Sequence, residues 1–96
     1  TNNISDYPLS EYSLIGVYPN PFNSRLSVKV EVPQKDFVQL SIYDLNGKKV
    51  KDIFNGTINK GIHLYTVDFQ GYHSGQYFVK MKSENSSKTK KVVLVK

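Results

Sequence analysis

The chain has 96 residues, of which 39% are hydrophobic, and it carries a net charge of +5 and no cysteine. This length predicts one domain with a thin core, and the absence of cysteine excludes disulfides and zinc–thiolate sites. No apolar run approaches the roughly 20 residues that a membrane-spanning helix needs.

The positive charge is concentrated in the last quarter of the chain. Its lysines alternate with apolar residues, which is typical of the solvated face of a strand. The sequence has almost no arginine and no aromatic–basic RNA-binding motif, so we expect no nucleic-acid partner. The lysines concerned are Lys80, Lys82, Lys88, Lys90, Lys91 and Lys96.

Residues 1–13 are polar, contain Pro8 and show no hydrophobic periodicity. No initiating Met and no signal peptide open the sequence. We therefore predict a linker over residues 1–13 that joins a larger exported protein, upstream, to a domain over residues 14–96.

The stretch YPNPFN, residues 18–23, follows a short apolar run. Pro19 and Pro21 have no N–H for a strand ladder, and the residues before them are pushed towards extended geometry. The stretch is therefore predicted to be a rigid corner between two strands. Asn20 and Asn23 are expected to cap the bend, and Phe22 is expected to plug the end of the core.

Residues 25–32 and 37–45 alternate apolar and polar side chains, which is typical of strands with one solvent-exposed face. Asn46-Gly47 then predicts a type I′ hairpin turn. In the return strand, residues 48–56, Val50 and Ile53 break the alternation, which indicates a bulge or an irregular edge.

Three further strands are predicted, at residues 62–69, 76–83 and 90–96. The turn GYHSG, residues 71–75, separates the first two, and the polar loop ENSSKT separates the last two. With the apolar run before YPNPFN as the first, about seven short strands with turn signals between them predict an all-β fold, a single immunoglobulin-like antiparallel β-sandwich. The residues predicted to point inward are Val28, Val30, Leu40, Ile42, Val79 and Val93.

Catalytic, cofactor and metal sites are not predicted. His63 and His73 have no cysteine or carboxylate at ligand spacing. Residues 44–47 lack the further ligands of a calcium loop, so a plain turn is the interpretation. No nucleophile motif or glycine-rich phosphate loop occurs, so we do not expect an enzyme.

The order of five segments carries a family resemblance. YPNPFN is followed by SIYDLNGKKV, GIHLYTVDF, SGQYFVKMKS and finally TKKVVLVK. This order resembles the C-terminal sorting domain of type IX secretion substrates, the Por secretion tail of the Bacteroidetes. The likeness covers about residues 14–96. Tyr72-His73-Ser74 departs from it, because the family more often has a leucine-containing turn there.

The resemblance implies that the domain is a sorting signal rather than an enzyme. Its implied partners are the outer-membrane type IX translocon, a shuttle protein, a sortase-like peptidase that cuts in the linker, and an upstream cargo. It implies export through the periplasm to the cell surface or the medium. The motif residues it marks for recognition are Pro19, Asn20, Pro21, Phe22, Gly47, Gly75, Tyr77, Lys91, Val93, Val95 and Lys96.

Two other interpretations stay open. Tyr43, Tyr65 and Tyr72 could stack on sugars, as in carbohydrate-binding modules of secreted hydrolases, although the absence of tryptophan weakens that case. A passive immunoglobulin-like spacer of a surface protein is the second alternative. A spacer has no reason to end the chain on its last strand.

Overall fold

The computed structural model describes residues 13–84 and 86–95, with side chains described from Gly16 onward. Residues 1–12 of the predicted linker, and Lys96, lie outside the described residues. The described residues form seven strands: β1 (Ser13–Tyr18), β2 (Arg25–Val32), β3 (Asp36–Asp44), β4 (Lys49–Ile58), β5 (Gly61–Asp68), β6 (Gly75–Lys82) and β7 (Ser87–Leu94).

The strands form two packed antiparallel sheets. One sheet has the order β1-β2-β5 and the other has the order β4-β3-β6-β7. The all-β sandwich that the sequence predicts is confirmed, and so is the end of β2 before Pro33. Each sheet buries one face because its strands alternate with a period of two, which puts every second side chain on the same side.

The core lies between the sheets and is almost entirely aliphatic and aromatic. Five of the six residues predicted to point inward are buried: Val28, Val30, Leu40, Ile42 and Val79. Tyr77 and Met81 of β6 are buried on the same face as Val79.

The inward prediction for Val93 is wrong. Val92 and Leu94 are buried, whereas Val93 is half-buried on the opposite face of β7. The register explains this result, because Val92 pairs with the inward Tyr77, and directly opposed residues share a face. The run VVLV is apolar on both faces, so its composition did not indicate the direction.

The irregularity predicted for the first hairpin is confirmed. The register of β3 against β4 skips one β4 residue at Ile53 and another at Val50. These two bulges give β4 a kinked outer edge.

The hairpin turn itself differs from the predicted type I′ turn. The Gly47 N–H donates to the Asp44 carbonyl at 3.0 Å, so Leu45 and Asn46 are the central residues and Gly47 follows with a φ of +84°. The Asp44 carboxylate accepts the N–H groups of Asn46 and Lys48. A three-residue loop with glycine last results, because the aspartate satisfies the turn from its first position.

Val30→Asp tests the core assignment. A carboxylate at this fully buried position has no partner, so we expect the free energy of unfolding to fall by at least about 3 kcal/mol. Gln39→Asp, on the exposed face of β3, is the control and is expected to change it by less than about 0.5 kcal/mol. Urea melts measure both, and a Val30→Asp chain as stable as the parent would refute the assignment.

Candidate functional site

The segment YPNPFN lies along the outer edge of β7, the strand that ends the described chain. Its Phe22 makes a parallel bridge to Leu94. The Phe22 N–H donates to the Val93 carbonyl at 2.9 Å, and the Val95 N–H donates to the Phe22 carbonyl at 2.8 Å. The predicted corner between strands is therefore also a short partner for β7.

Asn20 extends this pairing with its side chain. Its Nδ2 donates to the Lys91 carbonyl at 3.2 Å, and its Oδ1 accepts the Val93 N–H at 3.1 Å. A primary amide carries the donor and the acceptor of a peptide unit, so it replaces the backbone where the prolines on either side supply no N–H. The prediction that Asn20 caps the bend is wrong, since it bonds a distant strand instead.

We call these contacts the edge clasp: Asn20 and Phe22 on one side, and Lys91, Val93 and Val95 on the other. The clasp holds four hydrogen bonds between segments about 70 residues apart in sequence. It brings together five of the residues that the sequence marked for recognition. The peptide bonds before Pro19 and Pro21 are cis, and both prolines are exposed beside it.

Phe22 also confirms its predicted role as a plug. Its side chain is 2% exposed, and its ring meets that of Phe69 edge-on with centroids 4.7 Å apart. Phe69 in turn contacts Tyr72 at 5.2 Å and Tyr77 at 5.5 Å. We call these four rings the aromatic cluster. Sequence reasoning missed Phe69, although its place just before a glycine-rich turn was a signal for a core residue.

Tyr77 joins the aromatic cluster to the chain around it. Its hydroxyl donates to the His73 carbonyl at 2.6 Å. Burial, followed by the nearby Asp44 and Tyr72, raises the pKa of Tyr77, so the phenol remains a protonated donor at neutral pH. Gly75, two residues earlier, pairs with Leu94 and has a φ of +153°, a backbone geometry that side chains rarely adopt.

The clasp leaves one face of β7 open to solvent. Lys91, Val93 and Val95 share the outer face of the four-stranded sheet, since Lys91 pairs with Phe78 and Val93 with Gln76. Phe78 pairs in turn with Tyr43, whose ring lies 5.6 Å from the Lys80 Nζ. The result is a mixed apolar and basic surface.

Lysine dominates the charge of that surface. Lys80, Lys82 and Lys91 lie on this face, whereas Lys88 and Lys90 pair with the inward Met81 and Val79 and project from the other face; neither β6 nor β7 contains Asp or Glu. Gly47 lies in the hairpin turn at the same end and lines a shallow groove with Tyr43 and Lys80. This arrangement suits contact with an acidic partner.

Among the described residues, no group of three or more His, Asp or Glu side chains could hold a metal ion. His63 bonds the Asn59 carbonyl through Nε2. Within residues 13–84 and 86–95, no helix is long and apolar enough to cross a membrane.

The three tyrosines considered for sugar stacking do not form a common platform. Tyr43 lies on the outer face beneath Lys80, whereas Tyr72 belongs to the aromatic cluster and donates to the Val50 carbonyl. Tyr65 is half-buried, and its ring lies 5.6 Å from that of Phe54. Its burial raises its pKa.

Phe22→Ala tests the plug. Removing a fully buried ring is expected to cost about 3–5 kcal/mol of the free energy of unfolding. Phe37, which is 52% exposed, provides the matched control, and Phe37→Ala is expected to cost under about 1 kcal/mol. Chemical melts that gave equal losses for the two substitutions would show that Phe22 does not anchor the core.

Comparison with known families gives one match. The family model described as the secretion system C-terminal sorting domain matches residues 16–96. A comparison with curated proteins gives no match. The matched range contains the edge clasp, the aromatic cluster and six whole strands, as well as the end of β1. The chain therefore belongs to this family, and it is the type IX sorting signal of a protein that is exported to the cell surface or secreted.

Proposed function

We propose that the outer-membrane type IX translocon recognises this domain in its folded form by contacting side chains on the outer face of β7. The supporting observation is the edge clasp. It occupies the backbone edge at Lys91, Val93 and Val95 while leaving these side chains outside the core. Addition of a receptor strand at this edge is therefore blocked over these residues.

The recognised face combines a basic rim with apolar side chains. Val95 is 51% exposed, and Leu45 of the neighbouring turn is 64% exposed. Exposed apolar side chains beside lysines fit a receptor surface that is apolar at its centre and acidic at its margin. Such docking is expected to weaken as salt screens the charges.

The rest of the export route forms part of the same proposal. The cargo upstream of the domain crosses the periplasm, and a shuttle protein and a sortase-like peptidase then act on it. The peptidase cuts within the linker, residues 1–13, which is polar and contains Pro8. The domain serves as an address and performs no catalysis.

An export assay tests recognition by β7. Residues 1–96 are fused to a reporter that carries an export signal, in a host with the type IX system. The intact fusion is expected at the cell surface or in the medium. Lys91→Glu reverses one charge of the recognised face without touching the core, so export is expected to fall and the reporter to accumulate in the periplasm.

Lys35→Glu is the matched control. Lys35 is an exposed lysine in the turn between β2 and β3, and the change in charge is the same. Circular dichroism confirms that each variant folds. If Lys91→Glu is exported as well as Lys35→Glu, the β7 face is not the recognised surface. If the intact fusion itself is retained, the chain does not act as an export address in that host.

A further inference from the structure

Strand β5 has a free backbone edge that lacks the protection of the other three edges of the sandwich. The sheet orders leave β1, β5, β4 and β7 at the edges. The register of β1 is broken near Gly16, and that of β4 is broken twice. Strand β7 is lined with lysines and covered by the edge clasp. Bulges, charges and covering segments are the usual devices that prevent strands from pairing between molecules.

None of these devices protects β5 in the described structure. Its eight residues pair with β2 in unbroken register. Its first seven residues, GIHLYTV, contain no Lys, Arg, Asp or Glu, and the last residue, Asp68, is its one charged residue. On its outer face Ile62 is 57% exposed and Leu64 is 58% exposed. A regular edge that is apolar along most of its length, with a single charge at its end, is a template for a further strand.

The free hydrogen-bonding groups of β5 can be assigned by residue. Phe69 donates its N–H to the Ser24 carbonyl, towards β2. Backbone groups alternate sides along a strand, so the odd residues of β5 bond β2 and the even ones face outward. Ile62, Leu64 and Thr66 therefore present free N–H and C=O groups on the same edge as the exposed apolar side chains.

We propose that this edge pairs with the same edge of a second copy of the chain. Antiparallel pairing about a two-fold axis at Leu64 sets Leu64 opposite its own copy and Ile62 opposite Thr66. All three residues have outward backbone groups, so each directly opposed pair forms two hydrogen bonds. The two three-stranded sheets become one continuous six-stranded sheet, an interface in which the same patch serves both subunits.

Charge selects this register. Lys60 immediately precedes β5, so continuing the pairing about Leu64 by one residue brings Lys60 of each copy next to Asp68 of the other at both ends of the interface. Both residues are exposed. Opposite charges directly across a strand pair are stabilising, whereas like charges are destabilising. The inference is independent of how the domain is recognised for export.

Sedimentation velocity over a range of concentrations tests the dimer. The 96-residue chain is expected to form a species of twice its 11.0 kDa mass as concentration rises. Leu64→Lys sets two lysines opposite each other and is expected to remain monomeric wherever the parent is dimeric. Val95→Lys, at an exposed apolar position on the other sheet, is the control and is expected to dimerise like the parent.

Two outcomes overturn the proposal. One is a parent chain that remains monomeric at every concentration, which would leave the β5 edge to a strand of a different protein. The other is loss of the dimer in Val95→Lys as complete as in Leu64→Lys. Circular dichroism of each variant separates loss of pairing from loss of fold.

Charge exchange tests the register. Lys60→Glu alone sets two carboxylates opposite each other at both ends of the interface, and Asp68→Lys alone sets two ammonium groups there, so each variant is expected to lose the dimer. An equimolar mixture of the two variants restores opposite charges at both ends and is expected to regain it. A mixture that remains monomeric while the parent dimerises overturns the proposed register. Asp68→Lys also removes the hydrogen bond that the Asp68 carboxylate accepts from the Gln70 N–H. This loss is the same before and after mixing, so it cannot explain a dimer that returns only in the mixture.

Discussion

The outer edge of β7 is the constraint on which the described structure depends. This strand has a neighbouring strand on one side only, and on its other side the backbone groups of Lys91, Val93 and Val95 have partners from elsewhere in the chain. Asn20 and Phe22 supply them. Phe22 also packs in the aromatic cluster. The same residue therefore covers the edge of β7 and closes the end of the core. A small domain has about 5–15 kcal/mol of stability in total, so a contact that joins two distant segments matters to the whole fold.

The unusual composition of the clasp has a physical reason. Pro19 and Pro21 stiffen the segment but remove two backbone donors, and the Asn20 amide restores hydrogen bonding between them. The closed edge also bears on the export function. In the recognition proposed above, the receptor contacts side chains of β7, because the backbone edge at Lys91, Val93 and Val95 already has partners. A receptor can contact the lysine and valine side chains on the outer face of β7 without unfolding the domain.

Much of the fold was predictable, and the errors have a common origin. Alternation identified the strands, the broken period at Val50 and Ile53 identified the bulges, and the position of Phe22 identified the plug. The direction of Val93 and the partner of Asn20 depend on which strands become neighbours, and local patterns do not contain that information. Phe69 carried a local signal, its place just before the turn, but its contact with Phe22 forms only where the end of β5 meets the segment at Phe22. Motif order led to the family, because several separately weak segments in one sequence are specific together.

Amide hydrogen exchange in Asn20→Ala measures whether the Asn20 side chain closes the outer edge of β7. The Val93 N–H, which loses its acceptor, is expected to exchange faster, whereas amides in the middle of β3 keep the protection they have in the parent. Asn23→Ala, a substitution of an exposed asparagine three residues away, is the control and should leave Val93 unchanged. Equal protection of Val93 in the parent and in Asn20→Ala would show that the side chain does not close the edge, and the clasp would then not be the element that positions β7.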